Sequence, residues 1–187
     1  MNHHNYQQTI APQSPSLGAS STRFANAGAV QPVTHFYITI DIQAPRDRVW
    51  AVMSDVEHWS EWTSTINSIR LLDPGPLAAG KKAVVRQPKL LPARWLVTEV
   101  EEGRSFTWTT RHPGVLVTAR HSIEEVGSCS RITLSLDFSG FLGPLFARLT
   151  RGLNTSYLDI EARGLKKRAE EDARRPAPWI GRAGASR

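Results

Sequence analysis

The feature that most constrains the fold is a change in the spacing of apolar residues after Gly140. Before it, short segments alternate apolar and polar residues, the period of two that is typical of half-buried β-strands. After it, apolar residues recur every three to five positions, which predicts an amphipathic helix of about 30 residues and about 45 Å, with bends at Gly152 and Gly164. Its apolar stripe consists of Leu142, Leu145, Phe146, Leu149, Leu153, Tyr157, Ile160 and Leu165.

The segments before Gly140 predict seven strands and two short helices. The strands are residues 35–42, 68–72, 82–86, 94–100, 106–110, 115–123 and 131–138. Short turn-rich breaks join most of the consecutive strands, so these strands are antiparallel neighbours in a sheet. Both helices follow the first strand. One begins at Pro45, whose fixed φ suits a first helical turn, and the other covers residues 56–66, with Ser54 or Asp55 as its N-cap.

A helix this long needs an extended apolar surface to cover, and the predicted sheet supplies it. A sheet that curls around a helix leaves space beside it, because the two cannot pack closely along their whole length. We therefore predict one α+β domain over residues 34–172, in which a curved antiparallel sheet wraps the long C-terminal helix around an apolar cavity.

The segments on either side of this domain differ from it in composition. Residues 1–33 are rich in Gln, Ser, Ala, Asn and Pro and hold one charged residue, Arg23, which predicts a disordered tail. Residues 173–187 hold four Arg residues and no acidic residue, which predicts a flexible basic tail. The tails thus account for most of the net charge of +6, and the domain itself is nearly neutral. That argues against specific nucleic-acid binding, although a basic tail adds weak attraction to anionic surfaces.

Other sequence features address location and bound groups. No run of about 18 apolar residues and no signal-peptide pattern occurs, so we expect a cytoplasmic protein without a transmembrane segment. The single cysteine, Cys129, excludes a disulfide framework. His58, His112 and His121 lie on separate elements without metal-ligand spacing, so no metal and no cofactor is predicted. The sequence does not indicate an oligomeric state.

Four segments share their order and spacing with a known superfamily. They are residues 44–50, the Asp55-x-x-x-Trp59-x-x-Trp62 segment, the hairpin 95–108, and residues 112–124. Over residues 35–171 the chain resembles the START-like or SRPBCC superfamily, the polyketide cyclase/dehydrase and lipid transport proteins. The resemblance implies a helix-grip fold with a deep pocket for an apolar ligand. It does not imply one activity, because this fold hosts carriers, cyclases, hydrolases and co-chaperones.

Aromatic residues are the first candidates for the pocket wall. Trp59, Trp62, Trp95 and Trp108 either line a ligand cavity or fill the core, since aromatic side chains dominate both environments. The resemblance favours Trp59 and Trp62 as cavity residues, because the short helices border the pocket mouth in this superfamily. Leu153 and Tyr157, from the stripe of the long helix, complete the apolar candidates.

His121 is the main polar candidate, because it shares a strand face with Val115, Val117, Ala119 and Ile123. An imidazole that points inward orients a ligand carbonyl or acts as general acid/base, whereas the alternative is a hydrogen-bonded structural histidine. A second polar candidate, Thr110, shares its register with Phe106 and Trp108.

Three functions follow from this pattern. The leading hypothesis is a protein that binds or carries a small hydrophobic molecule, such as a lipid, polyketide or isoprenoid. The second is a polyketide aromatase or cyclase with His121 as general acid/base, although no second catalytic group stands at a convincing position. The third is an interaction domain with a vestigial cavity that acts through its tails.

Overall fold

One antiparallel sheet of seven strands forms the body of the protein, and the computed structural model describes residues 33–174 of the chain. The strands are β1 (Thr34–Ile42), β2 (Ser68–Leu71), β3 (Lys82–Arg86), β4 (Ala93–Glu101), β5 (Ser105–His112), β6 (Val115–Val126) and β7 (Cys129–Ser139). Their order in the sheet is β1-β7-β6-β5-β4-β3-β2. The predicted fold class and all seven strands are confirmed. Most of the predicted tails, residues 1–32 and 175–187, lies outside the described residues.

The strand patterns explain which face of the sheet turns inward. In β1, Phe36, Ile38, Ile40 and Ile42 are buried. In β6, every second residue from Val115 to Ile123 is buried, His121 among them. Because successive side chains of a strand point to opposite faces, these positions define one apolar concave face, against which the helices pack.

The two short elements after β1 are α1 (Arg46–Ser54) and a 3₁₀ helix (Val56–Glu61). The predicted helix over residues 56–66 is therefore too long. Asp55 stands at the N-terminus of the 3₁₀ helix, but no backbone amide donates to its side chain as in a cap, and its carboxylate instead accepts a hydrogen bond from His58 Nδ1 at 2.8 Å.

The predicted 30-residue helix is divided in two, α2 (Gly143–Leu149) and α3 (Arg151–Arg174). The break falls at Thr150, whose hydroxyl donates to the Phe146 carbonyl and accepts from Asn154 Nδ2. Such side-chain bonds to the backbone compete with the regular helix ladder. The predicted bend at Gly152 is thus two residues too late, and α3 continues through Gly164 without a break.

The face that α3 buries coincides with the predicted stripe only at Leu165. Ala162, Leu165 and Ala169 are fully buried, whereas Leu153 and Tyr157 are half-buried. The small alanine side chains let the C-terminal half of α3 pack closely on α1 and β1. The N-terminal half stands away from the sheet, and the space between them forms a cavity.

Candidate functional site

A cavity of about 560 Å³ lies between the concave face of the sheet and the N-terminal half of α3. Its walls come from β3 to β7, the end of the 3₁₀ helix region and α3, and its mouth is bordered by α2 and the β3–β4 loop, residues 87–92. The volume is in the range of pockets that hold small molecules, about 300–1,000 Å³. The cavity opens at the end of the strands at which the β5–β6 turn lies.

Most of the predicted site residues lie on this cavity. Those in its wall are Trp59, Trp95, Trp108, Thr110, His121 and Tyr157. Trp62 and Leu153 are not among the lining residues. Leu153 instead borders a neighbouring groove, together with Ser156 and Ile160 of α3. Trp62 ends the 3₁₀ helix and packs on Trp59, with 5.3 Å between ring centroids.

The inner end of the cavity is a packed cluster of rings. The Phe106 ring stacks on His121, with centroids 4.4 Å apart and planes 8° from parallel. Trp59 meets the His121 ring edge-on at 5.2 Å, and its indole N–H donates to the Met53 carbonyl at 3.1 Å. Trp59, Phe106 and Trp108 are each at most 4% exposed and are core residues. Trp59 and Trp108 also line the cavity, and Phe106 lies behind them.

His121 forms a pair with Glu161 of α3. The distance from His121 Nε2 to Glu161 Oε1 is 2.9 Å, and the two side chains are only 6% and 13% exposed. A carboxylate accepts hydrogen bonds, so Nε2 carries the proton and Glu161 orients the ring. Nδ1 of His121 is buried and has no hydrogen-bond partner within residues 33–174. The hydrogen-bonding capacity of this nitrogen is therefore not met by any of the described residues.

Glu161 was not predicted as a site residue. It lies four positions after Tyr157 and three after Leu158, so the helical period places all three on the cavity side of α3. This spacing is a signal in the sequence, but the predicted stripe was drawn through apolar residues alone, so it included Tyr157 and passed over Glu161. The pair joins positions 40 residues apart, and only the fold brings them together.

Two further wall residues carry polar atoms. Trp95 packs on Trp108, with centroids 5.2 Å apart, and its buried indole Nε1 has no partner among the described residues. Tyr157 donates its hydroxyl proton to the Pro88 carbonyl and so connects α3 to the β3–β4 loop. Burial raises the pKa of the Tyr157 phenol.

The mouth of the cavity is apolar and open to solvent. Its residues from the β3–β4 loop are Leu90 and Leu91, and those from the α2 region are Leu142, Leu145, Phe146 and Leu149. Leu91 is 88% exposed and Leu149 is 76% exposed. The Phe146 ring packs on the Phe138 ring, with 5.9 Å between ring centroids.

Residues 33–174 contain neither a candidate metal cluster nor a membrane-spanning helix. In this part of the chain, no group of three or more His, Cys, Asp and Glu side chains has the geometry to hold a metal ion. None of its helices combines the length and the apolar character that a membrane crossing requires.

The sequence matches one family of known proteins. A family model described as polyketide cyclase / dehydrase and lipid transport matches residues 33–170, which confirms the predicted resemblance. No curated protein matches the sequence at a significant level.

Solved structures of distant relatives share the fold. Norcoclaurine synthase from Thalictrum flavum, solved with dopamine and hydroxybenzaldehyde, aligns with a TM-score of 0.62 and 13% identity over 85% of this chain and 100% of that one. Hypothetical protein jhp0584 from Helicobacter pylori gives 0.63 and 13% over 83% and 99%. The protein TTHA0849 from Thermus thermophilus gives 0.60 and 16% over 74% and 99%. At such identities the likeness confirms the helix-grip fold alone.

Proposed function

The chain belongs to the polyketide cyclase / dehydrase and lipid transport family, and from this premise we propose that it binds or carries a small hydrophobic molecule in its internal cavity. The observation that supports this most strongly is the His121–Glu161 pair, a polar anchor at the inner end of a largely apolar space. Pockets of this composition obtain affinity from apolar burial and orientation from a few polar groups. Each 100 Å² of apolar ligand surface buried here contributes about 2.5 kcal/mol before the entropy of binding is subtracted.

The anchor restricts the chemistry of the ligand. The carboxylate of Glu161, which lines the cavity, suits a hydroxyl, phenol or enol group that donates a hydrogen bond. An acidic ligand end is disfavoured, because a second carboxylate beside Glu161 would be repelled by it. We therefore propose a neutral lipid, polyketide or isoprenoid-like molecule whose hydroxylated end lies innermost.

Native mass spectrometry of the full chain, purified without detergent, tests this proposal. We expect a discrete extra mass that is lost on denaturation. The variant Ala119→Phe places a ring in the cavity and should lose the extra mass, because Ala119 is a lining residue. The control is Thr118→Phe, on the same strand but absent from the cavity wall. Retention of the bound mass by Ala119→Phe would place the ligand elsewhere.

An enzymatic role is the second candidate, and Glu161 is the observation that favours it. In this scheme His121 removes a proton from an activated carbon of a poly-β-keto chain, and Glu161 orients the imidazole and stabilises its protonated form. Turnover of a polyketide mimic should then fall by about 10²- to 10⁴-fold in His121→Ala. Turnover that is unchanged in His121→Ala would eliminate this role.

The third hypothesis, an interaction domain with a vestigial cavity, makes the opposite prediction about the tails. Deletion of residues 1–32 and 175–187 leaves every described element in place. Ligand retention by the shortened chain is expected from a cavity-based function. If the biological activity is lost while the ligand is kept, the tails carry the function.

A further inference from the structure

We propose that the mouth of the cavity docks on the surface of an anionic lipid bilayer. The docking surface consists of the apolar side chains of the β3–β4 loop and the α2 region together with the basic residues between them, and we call it the mouth rim. Its residues are Lys89, Leu90, Leu91, Arg111, Phe141, Leu145, Arg148, Leu149 and Arg151. This inference goes beyond the proposed function, because docking requires no occupant of the cavity.

The first observation is the exposure of large apolar side chains. Leu91, Phe141, Leu145 and Leu149 are 88%, 77%, 56% and 76% exposed. Leu91, Leu145 and Leu149 border the same cavity mouth. Phe141 lies directly over the β5–β6 turn, where a Cβ on Gly114 would be 2.7 Å from its ring. The four side chains are therefore neighbours on one surface, and exposed apolar clusters of this kind mark interaction sites.

The second observation is the charge of the same end of the molecule. The segments 86–98, 110–118 and 139–158 hold six Lys and Arg residues and no Asp or Glu. Within residues 33–174, no ion pair involves Lys89, Arg111, Arg148 or Arg151. These cations are thus available to an external anionic partner.

The topology separates this basic end from an end of mixed charge. In an antiparallel sheet, successive turns alternate between the two ends of the strands. The β3–β4 loop, the β5–β6 turn and the end of β7 lie at the mouth, whereas the β4–β5 and β6–β7 turns lie at the opposite end. Glu101, Glu102, Glu124 and Glu125 lie at that opposite end, where Arg104 pairs with Glu101 and Arg46 pairs with Glu125. A negatively charged surface therefore attracts the mouth more strongly than the opposite end, which orients the molecule.

The interleaving of the two residue types favours a bilayer over a protein partner. In α2, Arg148 lies directly between Ala147 and the exposed Leu149, and Arg151 follows two residues later. In an interfacial element, apolar side chains enter the acyl boundary while Lys and Arg remain at the level of the headgroups. A folded protein partner would instead have to desolvate these cations inside its interface. In the docked orientation the cavity opens directly toward the lipid.

The proposal is tested by co-sedimentation of the full chain with vesicles of phosphatidylcholine alone or mixed with phosphatidylserine. We expect binding to the mixed vesicles that weakens as salt is raised. The double variants Leu145→Ser/Leu149→Ser and Arg148→Glu/Arg151→Glu should each weaken binding by about tenfold or more. The matched control is Leu72→Ser/Val126→Ser, two exposed apolar residues at the opposite end of the sheet, which should bind like the parent. Thermal melting checks that each variant is folded.

Three results would overturn the proposal. The first is equal binding of the parent protein to both kinds of vesicle, or equal binding of the parent and the mouth-rim variants to the mixed vesicles. The second is loss of binding when residues 175–187 are deleted, with no effect of the mouth-rim variants, since the basic tail would then be the attractant. The third is concentration-dependent self-association that the mouth-rim variants abolish without any vesicle binding, which would identify a second copy of the chain as the occupant. The cavity-filled Ala119→Phe variant should still bind vesicles, so failure of docking and failure of ligand binding are distinguishable.

Discussion

The two ends of the cavity use large apolar side chains in opposite ways. At the inner end, Trp59 and Phe106 are at most 1% exposed and hold the His121 ring between them. At the mouth, Leu91 and Leu149 are more than three-quarters exposed. Burial at the inner end stabilises the fold and orients the polar pair, whereas exposed residues at the mouth contribute little to stability. The comparison separates residues that build the site from residues that are free to meet a partner.

The largest effect is expected when a ring is removed from the inner end. Phe106→Ala deletes the side chain that stacks on His121 and meets Trp59 and Trp108, and it leaves a cavity in a closely packed cluster. We expect the free energy of unfolding to fall by about 3–5 kcal/mol. Urea denaturation followed by tryptophan fluorescence measures this. The matched change at the mouth is Leu149→Ala, which should alter stability by less than about 0.5 kcal/mol. Similar losses for both variants would refute the comparison.

The sequence predicted some features of the cavity and missed others. Alternation within β6 depends on neighbouring residues alone, so it placed His121 on the inner face without knowledge of the fold. Glu161 was missed because its role depends on a partner 40 residues away. The break at Thr150 was missed because the apolar spacing continues across it, while the rotation of α3 depends on Ala162 and Ala169, whose small side chains give a weak apolar signal.

The second prediction concerns two glycines of α3, one near each end of the cavity. An added Cβ at Gly164 would lie 2.4 Å from the Trp62 carbonyl oxygen, whereas one at Gly152 would meet nothing within 4 Å. Alanine is favoured over glycine in a helix by up to about 1 kcal/mol. We expect Gly152→Ala to be neutral or stabilising and Gly164→Ala to destabilise by about 1–3 kcal/mol, because the backbone at Trp62 must move. Chemical denaturation of both variants measures the difference, and stabilisation by Gly164→Ala would contradict the close approach of α3 to the 3₁₀ helix.

The third prediction tests the polar pair within the apolar inner end. Glu161→Ala leaves His121 buried without its acceptor, which should cost about 1–3 kcal/mol of stability. Glu161→Gln keeps a hydrogen-bond acceptor and should cost less, about 1 kcal/mol. Nitrogen NMR of His121 provides a second measurement, since the carboxylate holds the proton on Nε2 in the parent. Equal stability of the parent and Glu161→Ala would imply that the pair contributes nothing to the fold.

The smallest expected effect lies at the boundary between the two regions, where Tyr157 bonds the Pro88 carbonyl. Burial raises the pKa of the Tyr157 phenol, so the folded state favours the neutral form. Its contribution to stability is therefore complete below the ordinary tyrosine pKa of about 10 and is lost as the pH rises through the raised value. Difference absorbance of the phenolate in the parent and in Tyr157→Phe isolates this titration. A Tyr157 pKa at the ordinary value would mean that water reaches the phenol freely. The closed inner region of the cavity would then end before the contact between α3 and the β3–β4 loop.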